Sequence, residues 1–347
     1  MEKSKKGKSS SKPVIGITLG DINGIGPEVI IKSLLDPRIL NIITPVIYGS
    51  TKVISYYRKN LGNEDFNYSQ VRDNYFNHKK VNVVNCWNET VEINPGTSSQ
   101  EAGNYAYKAL ERAVKDLKEG KINAIVTGPI NKSNIQSDQF NFPGQTEYIT
   151  KESGEKDSLM MMVGENLKVG LVTTHLPIKD VPTKITRKNV SAKLKIFINS
   201  LKSDYGIKKP KIAVLGLNPH AGDEGLLGKE ETEVIQPVIE EFKSKGHLAY
   251  GPYPSDGFFG AAQYKGFDGI LAMYHDQGLI AFKTLSFEIG VNYTAGLEII
   301  RTSPDHGTAY NLAGKNEASE ISMRSAIYLA KDIYKVRRPI TEEESEE

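Results

Sequence analysis

The sequence predicts an α/β protein whose strands are mainly parallel. Short apolar runs alternate with helical patterns along the whole chain, as they do in proteins built on parallel sheets. The predicted strands cover 14–20, 44–50, 81–86, 123–129, 167–175, 211–220 and 267–276. Their far ends are rich in Gly, Pro, His, Asp and Asn. Because ligands collect beyond the carboxyl ends of strands in open α/β sheets, we expect the functional residues at these ends.

A long helix is predicted to start at Ser98, where Ser98 and Glu101 match the S-x-x-E capping box. Small and apolar residues follow at helical spacing: Ala102, Ala106, Ala109, Ala113 and Leu117. A second helix, roughly 317–335, closes the folded part of the chain. Turn residues in NFPGQ predict a domain break between Phe140 and Gln145.

The composition is that of a globular protein and excludes several classes. With 39% hydrophobic and 25% charged residues, the 347-residue chain can bury a substantial core. The net charge of +2 conceals a basic start (1–12) and an acidic end (337–347), both predicted to be solvated tails. No run reaches the roughly 18 apolar residues of a membrane span, and no basic-aromatic stripe predicts nucleic-acid binding.

Cys86 is the single cysteine of the chain. An intrachain disulfide and a site built from several thiolates are therefore both excluded. We expect a buried, inert thiol and a protein that works in the reducing cytoplasm.

Three histidines share one setting, since each lies at the end of an apolar strand: His175 in TTHLP, His220 in NPHAG and His275 in YHDQG. Their spacings of 45 and 55 residues exclude a local metal finger but suit neighbouring strand ends that converge on one ion. Three neutral imidazoles hold a borderline divalent metal and leave coordination positions for a substrate. The alternative is that they are unrelated polar residues at the ends of separate strands.

Two other segments have open interpretations. The loop GDINGIGPE (20–28) follows a strand and opens a helix; it is either a tight turn that needs its glycines or a part of the active site. It does not match G-x-G-x-x-G. Between 281 and 308 lie the polar residues Lys283, Asn292, Arg301, Asp305 and His306. They suit a bound phosphate or carboxylate, and a solvated charged loop is the alternative.

Seven segments together resemble the 4-hydroxythreonine-4-phosphate dehydrogenase family. They are PGQTEY, TTHLPIKDVP, LGLNPHAGDEG, GPYPSDGFF, LAMYHDQG, GVNYTAGL and IRTSPDHGTAYNLAG, and the match runs in order from Gly16 to about Lys335. More distantly, GDINGIGPE is similar to the GDGIGPE loop of isopropylmalate and isocitrate dehydrogenases. HGTAYNLAG is similar to the HGSAPDIAG segment on which their dinucleotide's adenosine sits.

The resemblance implies two α/β/α domains flanking a cleft, as in isocitrate and isopropylmalate dehydrogenases. The first domain is expected to cover 13–140 with 305–336, and the second 141–304. The second domain would hold the metal site and the interface of a homodimer whose active site draws on both subunits. The implied activity is the NAD- or NADP-dependent oxidation of 4-phosphooxy-L-threonine, with one zinc, magnesium or cobalt ion per subunit.

Site residues follow from the resemblance position by position. The family's metal ligands fall on His175, His220 and His275. Its substrate contacts fall on Lys283, Asn292 and Arg301, and its substrate-binding His-Thr pair falls on Gln145 and Thr146. The sequence departs from the pattern here, because PGQTE stands where the family has PGHTE. Glutamine can donate a hydrogen bond but carries no positive charge, so we expect weaker binding of an anionic group.

Catalytic and nucleotide-binding residues complete the implied site. Asp256 and Asp276 are candidates for orienting the histidines or accepting a proton. The dinucleotide is expected on His306, Gly307, Thr308 and Asn311. Three alternatives stay open: a related dehydrogenase acting on phosphothreonate or phosphoerythronate, a three-histidine metal hydrolase, and a non-catalytic metal- or phosphate-binding protein.

Overall fold

The computed structural model describes residues 12–72 and 75–338. The predicted tails, 1–12 and 337–347, lie almost entirely outside the described residues, although the last helix runs on to Arg337. The chain forms two compact units. One runs to Gln145 and resumes at Ile299, and the other is Thr146–Glu298.

The first unit is built on an all-parallel sheet. Its strands are β1 (Val14–Thr18), β2 (Thr44–Gly49), β3 (Tyr68–Gln70), β4 (Val81–Asn85), β5 (Ala124–Thr127) and β12 (Arg301–Pro304). Their spatial order is β3-β4-β2-β1-β5-β12, and each pair of neighbours is parallel. The carboxyl ends of all six strands therefore point to the same edge of the sheet.

Four helices of this unit are α1 (Gly26–Ser33), α2 (Thr51–Asn60), α3 (Gln100–Lys118) and α10 (Ile321–Arg337). Helix α3 packs on β1, β2 and β5 through the five small and apolar residues that its spacing predicted. Its predicted start at Ser98 is wrong by one residue. Ser99 is the N-cap, its hydroxyl accepting from Ala102 N at 3.2 Å, because the Ser98 hydroxyl accepts from Asn131 instead.

The second unit has a mixed sheet. Its strands are β6 (Leu159–Val163), β7 (Lys168–Leu171), β8 (Lys211–Leu215), β9 (Leu248–Tyr253), β10 (Gly269–Ala272) and β11 (Val291–Ala295). Their order is β11-β6-β7-β10-β8-β9. Strand β6 is antiparallel to both neighbours, whereas β7, β10, β8 and β9 run parallel.

The helices that begin in or next to this unit are α4 (Gln145–Glu152), α5 (Val181–Lys184), α6 (Arg187–Ser203), α7 (Gln236–Ser244), α8 (Ser255–Gly260) and α9 (His275–Ser286). Helix α9 packs on β7 and β10, and its Phe282 is fully buried. The core beneath it includes Leu171, Leu215, Phe258 and Ile270. Burying such side chains contributes about 1.5–3 kcal/mol each and fixes the strand ends against the helix.

The prediction of an α/β fold with mainly parallel strands is confirmed. All seven predicted strands are present, each shorter than predicted. Among the described residues, none of the helices is both long and apolar enough to cross a bilayer.

Candidate active site

The strand order of the second unit explains why residues far apart in the chain meet. Strand β10 lies between β7 and β8 and is parallel to both. His175 follows β7, His275 follows β10 and His220 follows β8. The three histidines therefore leave the sheet from adjacent carboxyl ends, where ligands collect in α/β proteins.

His175 and His275 come together at this edge. Their ring centroids are 5.7 Å apart and the ring planes are inclined by 42°. Both rings line a cavity of about 290 Å³, together with Thr174, Leu176, Ile178, Val181, Tyr274 and Asp276. Two imidazoles at this separation can ligate one ion, because a metal bound to each ring nitrogen lies roughly 3 Å from each centroid.

His220 lies on an unusual backbone segment. Residues 220–224 all adopt left-handed conformations, with φ between 45° and 83°, and only Gly222 among them is a glycine. Left-handed backbone costs roughly 1–2 kcal/mol for each residue with a side chain. Within the described residues, no group of three or more His, Cys, Asp or Glu side chains is arranged to hold a metal ion. One chain therefore pairs His175 with His275 but does not bring His220 into a three-ligand group.

The two candidate catalytic aspartates have different surroundings. Asp276 Oδ1 lies 2.7 Å from His275 Nδ1 and can accept its proton. This contact orients the ring and directs Nε2 toward a ligand, as carboxylates do beside metal-binding histidines. Asp256 is exposed in the first turn of α8.

Gln277, which sequence reasoning missed, joins the loops that carry these residues. Its Nε2 donates to Gly216 O at 2.6 Å and to Ser255 Oγ at 2.7 Å, while its Oε1 accepts from Met273 N at 2.6 Å. One amide thus connects the loops that precede His220, Asp256 and His275. The only sequence feature that could have identified Gln277 is its place in the motif YHDQG.

The predicted substrate residues of the second unit lie on three elements. Lys283 is on α9, eight residues beyond His275 and therefore about 12 Å further along the helix. Asn292 is on β11, and its Oδ1 is buried without a hydrogen-bond partner among the described residues. Thr146 is in the first turn of α4. The Asn292 oxygen is an acceptor that a ligand's hydroxyl or ammonium group can satisfy.

Gln145, which replaces the family's histidine, is the first residue of α4 and only 7% exposed. Its Nε2 donates to Gly128 O at 3.0 Å, and its Oε1 is buried without a partner in the described chain. Because a carbonyl can only accept, this contact fixes which end of the amide faces Gly128. The remaining end is an acceptor, so it favours a donor group on a ligand over an anionic oxygen.

Arg301, at the start of β12, is 4% exposed. Its Nε and Nη2 donate to the Thr127 hydroxyl at 3.1 and 2.8 Å, across the parallel pair of β12 and β5. The guanidinium is held in one orientation, and its role as a substrate contact remains a prediction.

The four predicted nucleotide residues lie in the loop between β12 and α10, in the first unit. Thr308 O accepts from Ile25 N at 2.9 Å, so the loop GDINGIGPE holds this segment. Gly24 permits the approach, since a Cβ at this position would lie 2.9 Å from Thr308 O. The first loop is therefore more than a tight turn, because its backbone positions the segment on which the dinucleotide is expected.

Two buried carboxylates strengthen this link. Asp21 Oδ2 accepts from the Tyr310 hydroxyl at 2.7 Å and from Asn134 Nδ2 at 2.8 Å. Burial, followed by the contact with Asp21, raises the pKa of Tyr310, so this hydroxyl stays protonated and donates. Glu28 Oε1 accepts from Ala318 N at 3.0 Å and from Lys32 Nζ at 2.8 Å, anchoring the far end of the segment. Sequence reasoning found none of these partners, because it could not show which loop residues are buried.

Each of the two α/β units ends its parallel strands in loops that carry candidate site residues, an arrangement typical of α/β enzymes. The family model described as "Pyridoxal phosphate biosynthetic protein PdxA" matches residues 41–330. A curated 4-hydroxythreonine-4-phosphate dehydrogenase from Bacteroides thetaiotaomicron is 52% identical over 93% of this chain and 89% of its own. A relative from Oceanobacillus iheyensis, provisionally named a D-threonate 4-phosphate dehydrogenase, is 39% identical over 92% of this chain and 98% of its own.

The fold matches as well. The crystal structure of 4-hydroxythreonine-4-phosphate dehydrogenase from Klebsiella pneumoniae is 33% identical and covers 93% of this chain and 98% of its own, with a TM-score of 0.79. The chain belongs to the PdxA family of pyridoxal phosphate biosynthetic proteins. The predicted family and the prediction of a dehydrogenase, an oxidoreductase, are confirmed.

Proposed function

We propose that the protein oxidises 4-phosphooxy-L-threonine with NAD or NADP, in a reaction that needs one divalent metal ion per subunit. The observation that best supports this is the pair of imidazoles, His175 and His275, lining one cavity in a chain of this family. The C3 hydroxyl would lose its proton and C3 would transfer a hydride to the nicotinamide, giving 2-amino-3-oxo-4-phosphooxybutanoate. This β-keto acid would then lose CO₂ to give 3-amino-2-oxopropyl phosphate.

One chain supplies two of the three proposed metal ligands in one place. His175 and His275 would hold it, with Asp276 orienting the second ring, and imidazole nitrogens favour zinc or cobalt over magnesium. When bound, the metal would supply Lewis-acid polarisation of the substrate's hydroxyl. His220 is the proposed third ligand. In the proposed homodimer it would come from the second copy, since one chain does not gather three such side chains among its described residues.

Exposed apolar side chains support the homodimer. Leu176 and Ile178, which line the cavity beside His175, are exposed, as are Ile280 and Phe287 on and after α9. A second copy covering this surface would remove large apolar groups from water and bring its own residues to the cavity. Analytical ultracentrifugation tests this, with a species of twice the 38.4 kDa chain mass expected.

The remaining predicted site residues would bind the substrate and orient it. Lys283 and Arg301 would hold the phosphate and carboxylate, Lys as a point charge and Arg as a planar fork. Asn292 Oδ1 and Gln145 Oε1 would accept hydrogen bonds from the substrate's hydroxyl or ammonium group. Thr146 would add a hydroxyl contact. Fixing these groups would aim the C3 hydrogen at the nicotinamide ring. The cytoplasmic location remains a prediction from the single cysteine.

A second candidate is a dehydrogenase for 4-phospho-D-threonate or phosphoerythronate. The name of the Oceanobacillus iheyensis relative favours it, and the acceptor end of Gln145 is compatible with it. These substrates carry a hydroxyl where the phosphooxythreonine carries an ammonium group, and either can donate to Gln145 Oε1.

An assay of NADH and NADPH formation across the three phosphorylated substrates, with added Zn²⁺, Co²⁺ or Mg²⁺, separates these candidates. We expect the highest kcat/KM with 4-phosphooxy-L-threonine. A higher value with phosphothreonate or phosphoerythronate would select the second candidate. Phosphate release without reduced dinucleotide would instead indicate a metal hydrolase.

A further inference from the structure

The loop that carries His220 is held by its backbone rather than by the histidine itself. The five left-handed residues that begin at His220 are preceded by Gly216, Leu217 and Asn218, which leave the end of β8. Each of these three residues gives one backbone atom to a side chain from another element. Two such side chains account for all three contacts.

Glu231 makes two of these contacts from a single-turn π-helix, Glu231–Ile235. This carboxylate is 2% exposed. Its Oε1 accepts from Leu217 N at 2.6 Å and from Asn218 N at 2.7 Å, and its Oε2 accepts from Asn218 Nδ2 at 3.0 Å. Charge-assisted bonds from backbone N–H groups are roughly twice as strong as neutral ones, so the loop is fixed at this point. Short π-helices of this kind are frequent at functional sites.

The loop is also shaped to fit this carboxylate. A Cβ on Gly222 would lie 2.6 Å from Glu231 Oε2, and a Cβ on Gly216 would lie 3.1 Å from Glu231 Oε1. Glycine at both positions lets the backbone of the loop approach the buried Glu231 carboxylate closely. On the other side, Gln277 Nε2 donates to Gly216 O at 2.6 Å.

We infer that Glu231 and Gln277 are positioning residues that set the direction in which His220 presents its imidazole to the metal. The inference rests on the proposed function, in which His220 is a metal ligand. Neither side chain is among the residues that line the cavity of His175 and His275. They act by holding the peptide bonds just before a turn that is unfavourable for residues with side chains.

Co²⁺ affinity, measured by calorimetry and by the visible absorption of the bound ion, tests the inference in the full-length protein. Glu231→Ala and Gln277→Met remove the contacts, and each is expected to weaken Co²⁺ binding about ten- to a hundredfold, as loss of partners that orient ligands does. Glu231→Gln keeps an oxygen that can accept both backbone N–H groups, so it is expected to recover most of the affinity. The matched control is Glu233→Ala, on the same π-turn, whose side chain is 66% exposed and forms an ion pair with Lys229 at 4.0 Å.

Thermal unfolding of each variant separates loss of fold from loss of positioning, since the affinity is compared in folded protein. If Glu231→Ala does not fold, the Co²⁺ affinities of Gln277→Met and Glu231→Gln test the inference in its place. Wild-type Co²⁺ affinity in a folded Glu231→Ala or Gln277→Met variant, together with lost affinity in His220→Ala, would overturn the inference for that residue and leave the proposed function intact. Wild-type affinity in His220→Ala would instead overturn the metal role of His220, and the inference with it.

Discussion

The imidazole rings of His175 and His275 lie side by side, with their centroids 5.7 Å apart and their planes inclined by 42°. They meet because β7 and β10 are adjacent parallel strands, so both histidines leave the sheet at the same edge. Asp276 lies 2.7 Å from the second ring and fixes its orientation. This pair is the part of the proposed metal site that one chain supplies by itself.

We predict that His175→Ala and His275→Ala each abolish tight metal binding and lower kcat/KM at least about a hundredfold, because removing one of few ligands leaves the ion weakly held. Asp276→Asn should weaken metal binding about ten- to a hundredfold. Metal content by mass spectrometry of purified protein and the rate of NADH formation check these outcomes.

His247→Ala is the control for that series, since His247 does not line the cavity and packs against Phe242. It should keep both metal and activity. Retention of a full complement of metal by His175→Ala and His275→Ala would show that these rings are polar residues at strand ends and not ligands.

Gln145→His should raise kcat/KM for the phosphorylated substrate about five- to thirtyfold, because an imidazolium would donate a charge-assisted hydrogen bond to the substrate's phosphate or carboxylate, whereas the amide offers the ligand its acceptor oxygen. The gain depends on the protonated ring. It should therefore be full below the imidazole's pKa, ordinarily about 6.5, and disappear as the pH rises through that value. Steady-state kinetics from pH 5.5 to about 8.5 follow this profile.

Gln145→Met is the companion variant, because it keeps a similar length but removes both hydrogen-bonding ends. It should lower kcat/KM below the wild-type value. A gain of less than about twofold for Gln145→His at every pH would mean that the amide already serves the substrate as well as a histidine does.

Gly24→Ala should raise KM for the dinucleotide about five- to tenfold with a smaller effect on kcat, equivalent to one lost hydrogen bond. The added Cβ would lie 2.9 Å from Thr308 O and displace the segment on which the nucleotide is proposed to bind. Gly266→Ala is the control, since apart from the chain neighbours of Gly266 no atom of the described residues would lie within 4 Å of the added Cβ. Equal KM values for the two variants would indicate that the dinucleotide does not bind on the segment that contains Thr308.

Cys86 should react slowly with iodoacetamide in the native protein. The residue is half-buried rather than buried as predicted. Partial burial still raises the pKa of its thiol to about 12, so at pH 8 far less of it is thiolate than at an unperturbed pKa. We expect alkylation about a thousandfold slower in the native protein than in urea, measured by mass spectrometry. Comparable rates would contradict the predicted inert thiol.

The sequence predicted the parts of the fold that depend on apolar runs. Strands such as β1 and β10 are continuous buried segments between turn residues, so their pattern was recognisable. Five strands were missed: β3, β6, β9, β11 and β12. The segments YSQ of β3 and RTSP of β12 carry no strand pattern of their own, whereas β6 (LMMMV) is an apolar run that was overlooked. Pairing with β4 and β5 defines β3 and β12 as strands.

Candidate site residues could be proposed where one residue type recurs in one setting, as the three histidines do, and of these the structure brings His175 and His275 together. The residues that hold the loops could not be proposed. Glu231 lies in the acidic run KEETE, where nothing in the sequence distinguishes a buried carboxylate from its exposed neighbour Glu233. Gln277 and Tyr310 act through contacts with residues distant in sequence, which only the folded chain reveals.

The stoichiometry of one turnover tests the central claim most directly. With purified protein, Zn²⁺ or Co²⁺, a dinucleotide and 4-phosphooxy-L-threonine, we predict one reduced dinucleotide and one CO₂ for each substrate consumed, and a rate at least about a hundredfold lower in His275→Ala. Substrate consumption that releases inorganic phosphate and leaves the dinucleotide oxidised would contradict the proposed dehydrogenase.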